Sequence, residues 1–414
     1  MDTLRNDAKQ IYTYAIQRSL PDTAVKNCLT SMELSGNIVV ISVGKAAWTM
    51  ASAALEVLGD RIKSGLVLTK YDHSRGALGN LEIMEAGHPI LDENTLLGTK
   101  RAMELTENLT PEDTVLFLLS GGGSALFELS ELDVPELQDI NNQLIGSGAS
   151  IQEINTVRKR LSLVKGGRFA QHCAPAKVVG LLLSDVLGNQ PDMIASGPVC
   201  EDATTCAQAI QIVEKYNISI SEKAKALLQV ETPKELPDVT CHICGDVQQL
   251  CKAAAEKCEQ LGYTVILLTS DLCCEAREAG SFLASIAHSH AQDHRQLAFI
   301  AGGETVVHLK GEGKGGRNQE LALSAAEGIA GLPHVAIFSV GSDGTDGPTD
   351  AAGGYVDGST KEKLLSQGIS IADVLDHNDA YHALERCDGL IKTSATGTNV
   401  NDIAVALVRA ISLR

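Results

Sequence analysis

The residues of this chain whose types and spacing could do chemistry crowd between Lys310 and Gly354, in two glycine-rich loops of opposite charge. The first runs Lys310-Gly-Glu-Gly-Lys314-Gly-Gly-Arg317-Asn-Gln-Glu320, and the second Gly341-Ser-Asp343-Gly-Thr-Asp346-Gly-Pro-Thr-Asp350-Ala-Ala-Gly-Gly354. Glycine lets backbone N–H groups close on an anion, while Lys314 and Arg317 supply counter-charge. Aspartates in a tight turn suit a hard cation such as Mg²⁺, which takes oxygen ligands and commonly accompanies phosphate. One helix and one strand separate the loops, so the pair predicts phosphate and metal handling, the outline of a nucleotide-dependent phosphotransferase.

Other segments carry matching chemistry. The strand Ile38–Ser42 runs into Val43-Gly44-Lys45-Ala46-Ala47, which opens a helix reaching about Leu58. A lysine at a helix N-terminus is misplaced electrostatically unless an anion neutralises it, so Lys45 is expected to meet phosphate or carboxylate. The plain alternative is a solvated lysine in a tight turn. Next, Thr114–Leu119 leads into Ser120-Gly121-Gly122-Gly123-Ser124, a row of backbone donors where open α/β sheets bind ligands. No GxxxxGK[ST] loop occurs anywhere in the chain.

Ser150 to Glu153 reads as a capping box that starts a helix with Ile151, Ile154, Val157 and Leu161 on its apolar side. Arg158, Lys159 and Lys165 cluster on the other side and are expected to contact an anion. Asp185, at a strand end, suits a metal ligand or a general base, or else a turn cap. Asp343 carries the same metal-or-base expectation. His88, in Gly87-His88-Pro89, could orient a substrate. Ala395 to Asp402 is rich in hydroxyl and amide groups, so Thr398 and Asn399 are expected to touch substrate. Gly311-x-Gly313-x-x-Gly316 also matches the dinucleotide fingerprint, although Lys314 and Arg317 within it favour a triphosphate.

Elements must position these groups. Short β-rich runs alternate with helical stretches through most of the chain, which predicts an α/β fold with largely parallel sheets. Strands are expected at Ile38–Ser42, Gly65–Thr69, Thr114–Leu119, Lys177–Leu183, Thr264–Thr269, Leu297–Ala301, Thr305–His308 and His334–Val340. With 414 residues the chain exceeds one typical core. The polar, proline-bearing stretch Gln229 to Asp238 suggests domains at 1–232 and 233–414, with a last helix that could return to the first. Formal net charge is −18, without a basic block, which argues against nucleic acid as a partner. Apolar runs are too short to span a bilayer. Eleven cysteines and no secretory leader predict a reducing, cytoplasmic setting. Cys241-His-Ile-Cys244 has metal spacing but no second pair follows it.

Taken together, the motifs resemble the glycerate 2-kinase family, whose C-terminal part is known as the MOFRL domain. The stretches that carry the resemblance are Val43-Gly-Lys-Ala46, Ala86-Gly-His-Pro89, Leu119 to Ser124, Ile154-Asn-Thr-Val-Arg-Lys159 with Lys165-Gly-Gly167, and Leu183-Ser-Asp185. They continue with Gly303-Glu-Thr305, Gly315-Gly-Arg-Asn318-Gln-Glu320, Gly341 to Gly347, and Thr396-Gly-Thr398-Asn399. Leu91 departs from the family's His-Pro-x-Pro-Asp pattern, which weakens a role for the His88 loop. The resemblance implies a Rossmann-like three-layer α/β/α N-terminal domain, a smaller α/β C-terminal domain and a site in the cleft between them. It also implies ATP-dependent phosphorylation of D-glycerate to 2-phosphoglycerate and points to Lys45 and Arg317 as the charge-stabilising pair. The residues themselves add the expectation of Mg²⁺, of Asp185 as a further catalytic group and of Asn318 in the phosphate-binding set. Relatives also carry the label hydroxypyruvate reductase, so an NAD(P)H-dependent reductase is the alternative. Expected partners are glycerate and ATP, without nucleic acid or membrane; a homo-oligomer is compatible with the sequence.

Overall fold

The computed structural model describes residues 3–186 and 188–410. They fall into two compact units, Pro21–Cys244 and a second made of residues 3–20 with 245–410. No described helix is long and apolar enough to cross a membrane.

The first unit is built on strands β1 (Ile38–Val43), β2 (Ile62–Lys70), β3 (Glu82–Ala86), β4 (Thr114–Leu119), β5 (Lys177–Leu183) and β6 (Val239–Gly245). Their order across the sheet is β3-β2-β1-β4-β5-β6, and the pairings from β3 to β5 are parallel. This is the doubly wound order, with the chain leaving in opposite directions from β1 and β4. β1 and β4 are buried at every position, which explains their unbroken apolar sequences. Alternate residues feed two cores. Val40, Leu116 and Leu181 pack with Pro21–Thr30 and Ala47–Leu58 on one face; Ile41, Phe117 and Leu182 pack with Ala102, Phe127 and Phe169 on the other. A satellite core joins helices Val134–Gly146, Ile151–Leu161, Cys206–Lys215 and Glu222–Leu228.

The second unit holds β7 (Thr264–Leu272), β8 (Leu297–Gly303), β9 (Val335–Gly341), β10 (Gly353–Asp357), β11 (Leu390–Ile391) and β12 (Asp402–Val408), in the order β11-β10-β9-β12-β8-β7. The sheet is mixed: β12 runs antiparallel between β8 and β9, and β7 pairs parallel with β8. The expected closing helix is therefore a central strand. Its run Ile403-Ala-Val-Ala-Leu-Val408 is buried on both faces, and such a run reads equally as helix or strand. Thr305–His308 forms no strand; Val306 makes one isolated bridge to Glu275. The division also differs from 1–232 and 233–414. β6 completes the first sheet beyond residue 232, and the leading helix Thr3–Arg18 belongs with the second unit. There the hydroxyl of Tyr263 donates to the buried Asp7 carboxylate at 2.7 Å.

Candidate functional site

In the first unit, the carboxyl ends of β1 and β4 lie side by side at the point where the winding reverses, and ligands bind there in open α/β sheets. The loops that leave these strands are stitched together. Lys45 N–H donates to the Gly121 carbonyl at 2.9 Å and Ser120 N–H to the Val43 carbonyl at 3.0 Å. The Ser120 hydroxyl accepts from Ala46 N–H at 3.0 Å. Ser120 is buried, so both its hydroxyl and its amide serve this seam and do not reach a ligand. Gly121, Gly122, Gly123 and Ser124 differ. Their amides meet no acceptor among the described residues, and Gly122 turns the chain at φ +89°. Four donors in a row form a nest for an anion.

The nest is anchored from below. Phe127 N–H donates to the Gly123 carbonyl at 2.9 Å, and the Phe127 ring packs at 5.4 Å from Phe117 and 5.2 Å from Phe169. Losing such a buried ring costs about 3–5 kcal/mol, so the loop is held by core packing. Lys45 is exposed and has no carboxylate partner among the described residues. A Cβ placed on Gly122 would sit 3.3 Å from Lys45 Cγ and 3.0 Å from His88 Nε2; one on Gly121 would sit 2.7 Å from Asp185 Oδ2. Lys45, His88 and Asp185 therefore all border the nest. Burial first, then the charges of Lys45, Lys70 and His73, brings the His88 pKa down to about 4.

Lys159 and Lys165 depart from the expected anion contacts. Lys159 is buried, with Nζ 3.1 Å from both Asp192 and Asp202. Lys165 Nζ, fully buried, donates to Glu128 and to the Phe127 carbonyl, each at 2.7 Å. Desolvation lowers its pKa, opposed by Glu128. Both lysines hold the fold together. Arg158 differs from these lysines: it meets no carboxylate among the described residues, and its Nε donates to Asn141 at 2.6 Å.

In the second unit, the end of β8, the end of β9 and the start of β12 bring Gly303, Gly341 and Asp402 into register. Arg317 opens the helix Arg317–Gly328 and reaches this edge. Its Nε and Nη2 grip Asp402 at 2.5 and 3.1 Å, and Nη1 meets Glu304 at 2.7 Å. Burial pushes the Asp402 pKa up to about 6, against the pull of Arg317. Asp343 Oδ1 lies 3.3 Å from where a Cβ on Gly341 would stand, beside Asp402 Oδ1 at 3.4 Å. Glu304 and Asp402 were not among the expected site residues. Their signal was present in Gly303-Glu-Thr305 and in the end of the 395–402 loop, but nothing in the spacing marked them as partners of one arginine.

The first glycine-rich loop of this unit is not an open phosphate cradle. Asn378 Oδ1 accepts from Lys310 and Gly311 N–H, the His377 carbonyl from Gly313 N–H, and Asp379 Oδ1 from Lys314 N–H. Cβ atoms on Gly311 and Gly313 would fall 2.4 Å from the His377 carbonyl oxygen, so these glycines permit close packing. Lys314 Nζ lies over the Tyr381 ring at 4.2 Å. The helix N-terminus is taken too: buried Asp346 accepts from the amides of Asn318 at 3.2 Å and Gln319 at 2.9 Å. A dinucleotide pyrophosphate would have to displace that carboxylate, so the glycine fingerprint is not a cofactor site. Asn318, also buried, is bound to Asp346 and Ser339, and Thr398 donates to the Ser19 carbonyl at 2.7 Å; both are internal struts. Asn399 is half-buried in the loop before β12.

The described residues contain no group of three or more His, Cys, Asp or Glu that could hold a metal ion. Mg²⁺ needs no such cage, because it keeps waters and takes one or two carboxylates plus phosphate oxygens. Asp185, with a hard oxygen against the Gly121 nest, fits that donor set. Asp343 belongs to the other unit.

The first unit is thus a doubly wound α/β domain with a row of amides, unpartnered among the described residues, at its topological switch point. A family described as "domain of unknown function (DUF4147)" matches residues 7–229, and the MOFRL family matches residues 297–402. The chain is 51% identical to the D-glycerate 2-kinase of Thermotoga maritima, over 98% of its own length and 99% of that protein. It is 36% identical to an Agrobacterium vitis protein provisionally named hydroxypyruvate reductase, covering 98% and 94%. A crystal structure of glycerate kinase from Thermotoga maritima superposes with a TM-score of 0.96 at 50% identity, covering 99% of this chain and 100% of that one. The chain belongs to the glycerate 2-kinase family.

Proposed function

We propose that the protein transfers the γ-phosphoryl group of ATP to the 2-hydroxyl of D-glycerate, giving 2-phosphoglycerate and ADP. The observation that supports this most directly is the open nest of Gly121 to Ser124 amides, bordered by an unpaired Lys45 at the switch point. Phosphoryl transfer needs positioning and charge neutralisation more than covalent chemistry, and these groups provide both. The amides hold phosphate oxygens and Lys45 stabilises charge that develops during transfer. The acceptor oxygen bonds to phosphorus as the bond to the ADP oxygen breaks, and the hydroxyl proton passes to a carboxylate. Asp185 is the candidate for that acceptor, and equally for a metal ligand. Mg²⁺, when bound, neutralises phosphate charge. Arg317, in the other unit, is the residue that the family resemblance pairs with Lys45, and its part in the reaction is included in the proposal.

A coupled assay for ADP release with D-glycerate, run beside NADH oxidation with hydroxypyruvate, tests the reading. Glycerate-dependent ADP release is expected, with phosphorus NMR reporting the 2-phospho isomer. NADH oxidation without ADP release would overturn it.

A further inference from the structure

The helix Ile151–Leu161 and the turn after it bring four cations close together, and three are matched by carboxylates. Lys159 meets Asp192 and Asp202, Arg160 meets Asp202 and Glu231, and Lys165 meets Glu128. Arg158 is the exception. Its Nε donates to Asn141 Oδ1 at 2.6 Å, and its two terminal nitrogens have no hydrogen-bond partner among the described residues. It is half-buried, and desolvation lowers its pKa while Glu128 opposes the shift. A guanidinium taken partly out of water without an anion is costly, and its planar fork matches a carboxylate with two parallel hydrogen bonds.

Arg158 faces a cavity of about 410 Å³ whose walls include His88, Ser124, Gln138, Asn141 and Asn142. Gly122 lines it as well, so the cavity opens directly on the phosphate nest. Glu128 in the same wall has its charge met by Lys165 at 2.7 Å, which leaves Arg158 to set the local sign. The Asn141 contact comes from the neighbouring helix Val134–Gly146 and fixes the guanidinium through Nε, leaving the Nη pair directed away from that bond.

We propose that Arg158 receives the carboxylate of the 2-hydroxy-acid substrate and so makes the enzyme select acids over neutral alcohols, with Asn141 as its positioning residue. The assignment rests on the kinase reading and adds to it the substrate's orientation: carboxylate on Arg158, and the adjacent 2-hydroxyl toward Gly122 and Ser124. Lys159 and Lys165, cations of the same cluster, have no such role because their charges are already spent.

The test is steady-state kinetics of wild type, Arg158→Gln, Arg158→Lys and Asn141→Ala, with calorimetric titration of D-glycerate into each and circular dichroism to check the fold. Arg158→Gln should raise KM and Kd for glycerate on the order of 100-fold while KM for ATP stays within about 2-fold. The preference for glycerate over glycerol should collapse in the same variant. Arg158→Lys keeps charge without the fork and should fall between, and Asn141→Ala should raise glycerate KM about 10-fold with little change in kcat. A folded Arg158→Gln protein that binds glycerate as wild type does overturns the proposal and leaves the kinase reading intact. An equal rise in KM for ATP overturns it in favour of a phosphate contact. Wild-type protein that neither binds glycerate nor releases ADP with it overturns both.

Discussion

Two glycine-rich loops that look alike in sequence have opposite fates in the structure. Ser120 to Ser124 presents four amides that meet no acceptor among the described residues, whereas in the other loop the amides of Lys310, Gly311, Gly313 and Lys314 are taken by His377, Asn378 and Asp379, and Asp346 caps the helix that follows. The cations beside them differ in the same way. Lys45 meets no carboxylate among the described residues, while Arg317 is gripped by Asp402 and Glu304. Glycine content therefore marks places where backbone comes close to something. Whether that something is a ligand or the protein itself depends on which groups already occupy the donors.

The contrast can be broken by substitution. Lys45→Ala should lower kcat about 10³-fold with an unchanged melting temperature, because under the proposed mechanism the side chain acts on the reaction and it is exposed in the fold; a loss of stability of more than about 1 kcal/mol would place Lys45 in the fold as well. Arg317→Ala should lose activity and also about 2 kcal/mol of stability in denaturant titration, since it strands the buried Asp402 carboxylate. Partial recovery in Arg317→Ala/Asp402→Asn would separate the two losses, and no recovery would argue against the clamp. Asp346→Ala should cost about 1–2 kcal/mol through loss of the cap, with KM for ATP little altered. A large rise in that KM would instead return the 310–317 loop to the nucleotide.

The smallest effect concerns pH. His88 has its folded pKa brought down to about 4, below the usual value near 6.5, so its contribution to stability is present above about pH 6.5 and drains away as pH falls toward 4. His88→Gln should flatten that part of the stability profile. Lys45→Met removes one of the repelling charges, so the imidazole should titrate higher by NMR than in wild type. An unshifted titration in the Lys45 variant would place the lysine farther from the nest than the geometry has it.

The parallel half of the fold was legible because β1 and β4 are buried at every position, β5 is buried from Gly180 onward, and all are bounded by glycine or polar turns, which sets both type and limits. The mixed half was less so. β12 contains two alanines among its apolar residues and shows no alternation, and β10 begins with two glycines, so neither announces a strand. That Lys45 and the Ser120 loop stand together at adjacent strand ends could be read from their positions after two buried strands. Lys159, Lys165, Asn318 and Thr398 could not be told from ligand contacts, because their partners Asp202, Glu128, Asp346 and Ser19 lie 28 to 379 residues away in sequence. Long-range pairing is what a local motif cannot show.

The placement of β12 has a consequence for the order in which the protein can be made. The first unit is one continuous stretch, Pro21–Cys244, and every strand of its sheet but the last residue of β6 lies within it. It can close while the ribosome is still at work. The second unit must keep its leading helix Thr3–Arg18 waiting, and its sheet stays split between β8 and β9 until Asp402–Val408 emerges and slots in between. Arg317 meets Asp402 only at that moment, so the arginine clamp is assembled by the insertion of β12, and a nascent protein stalled short of it would carry the nest without the clamp.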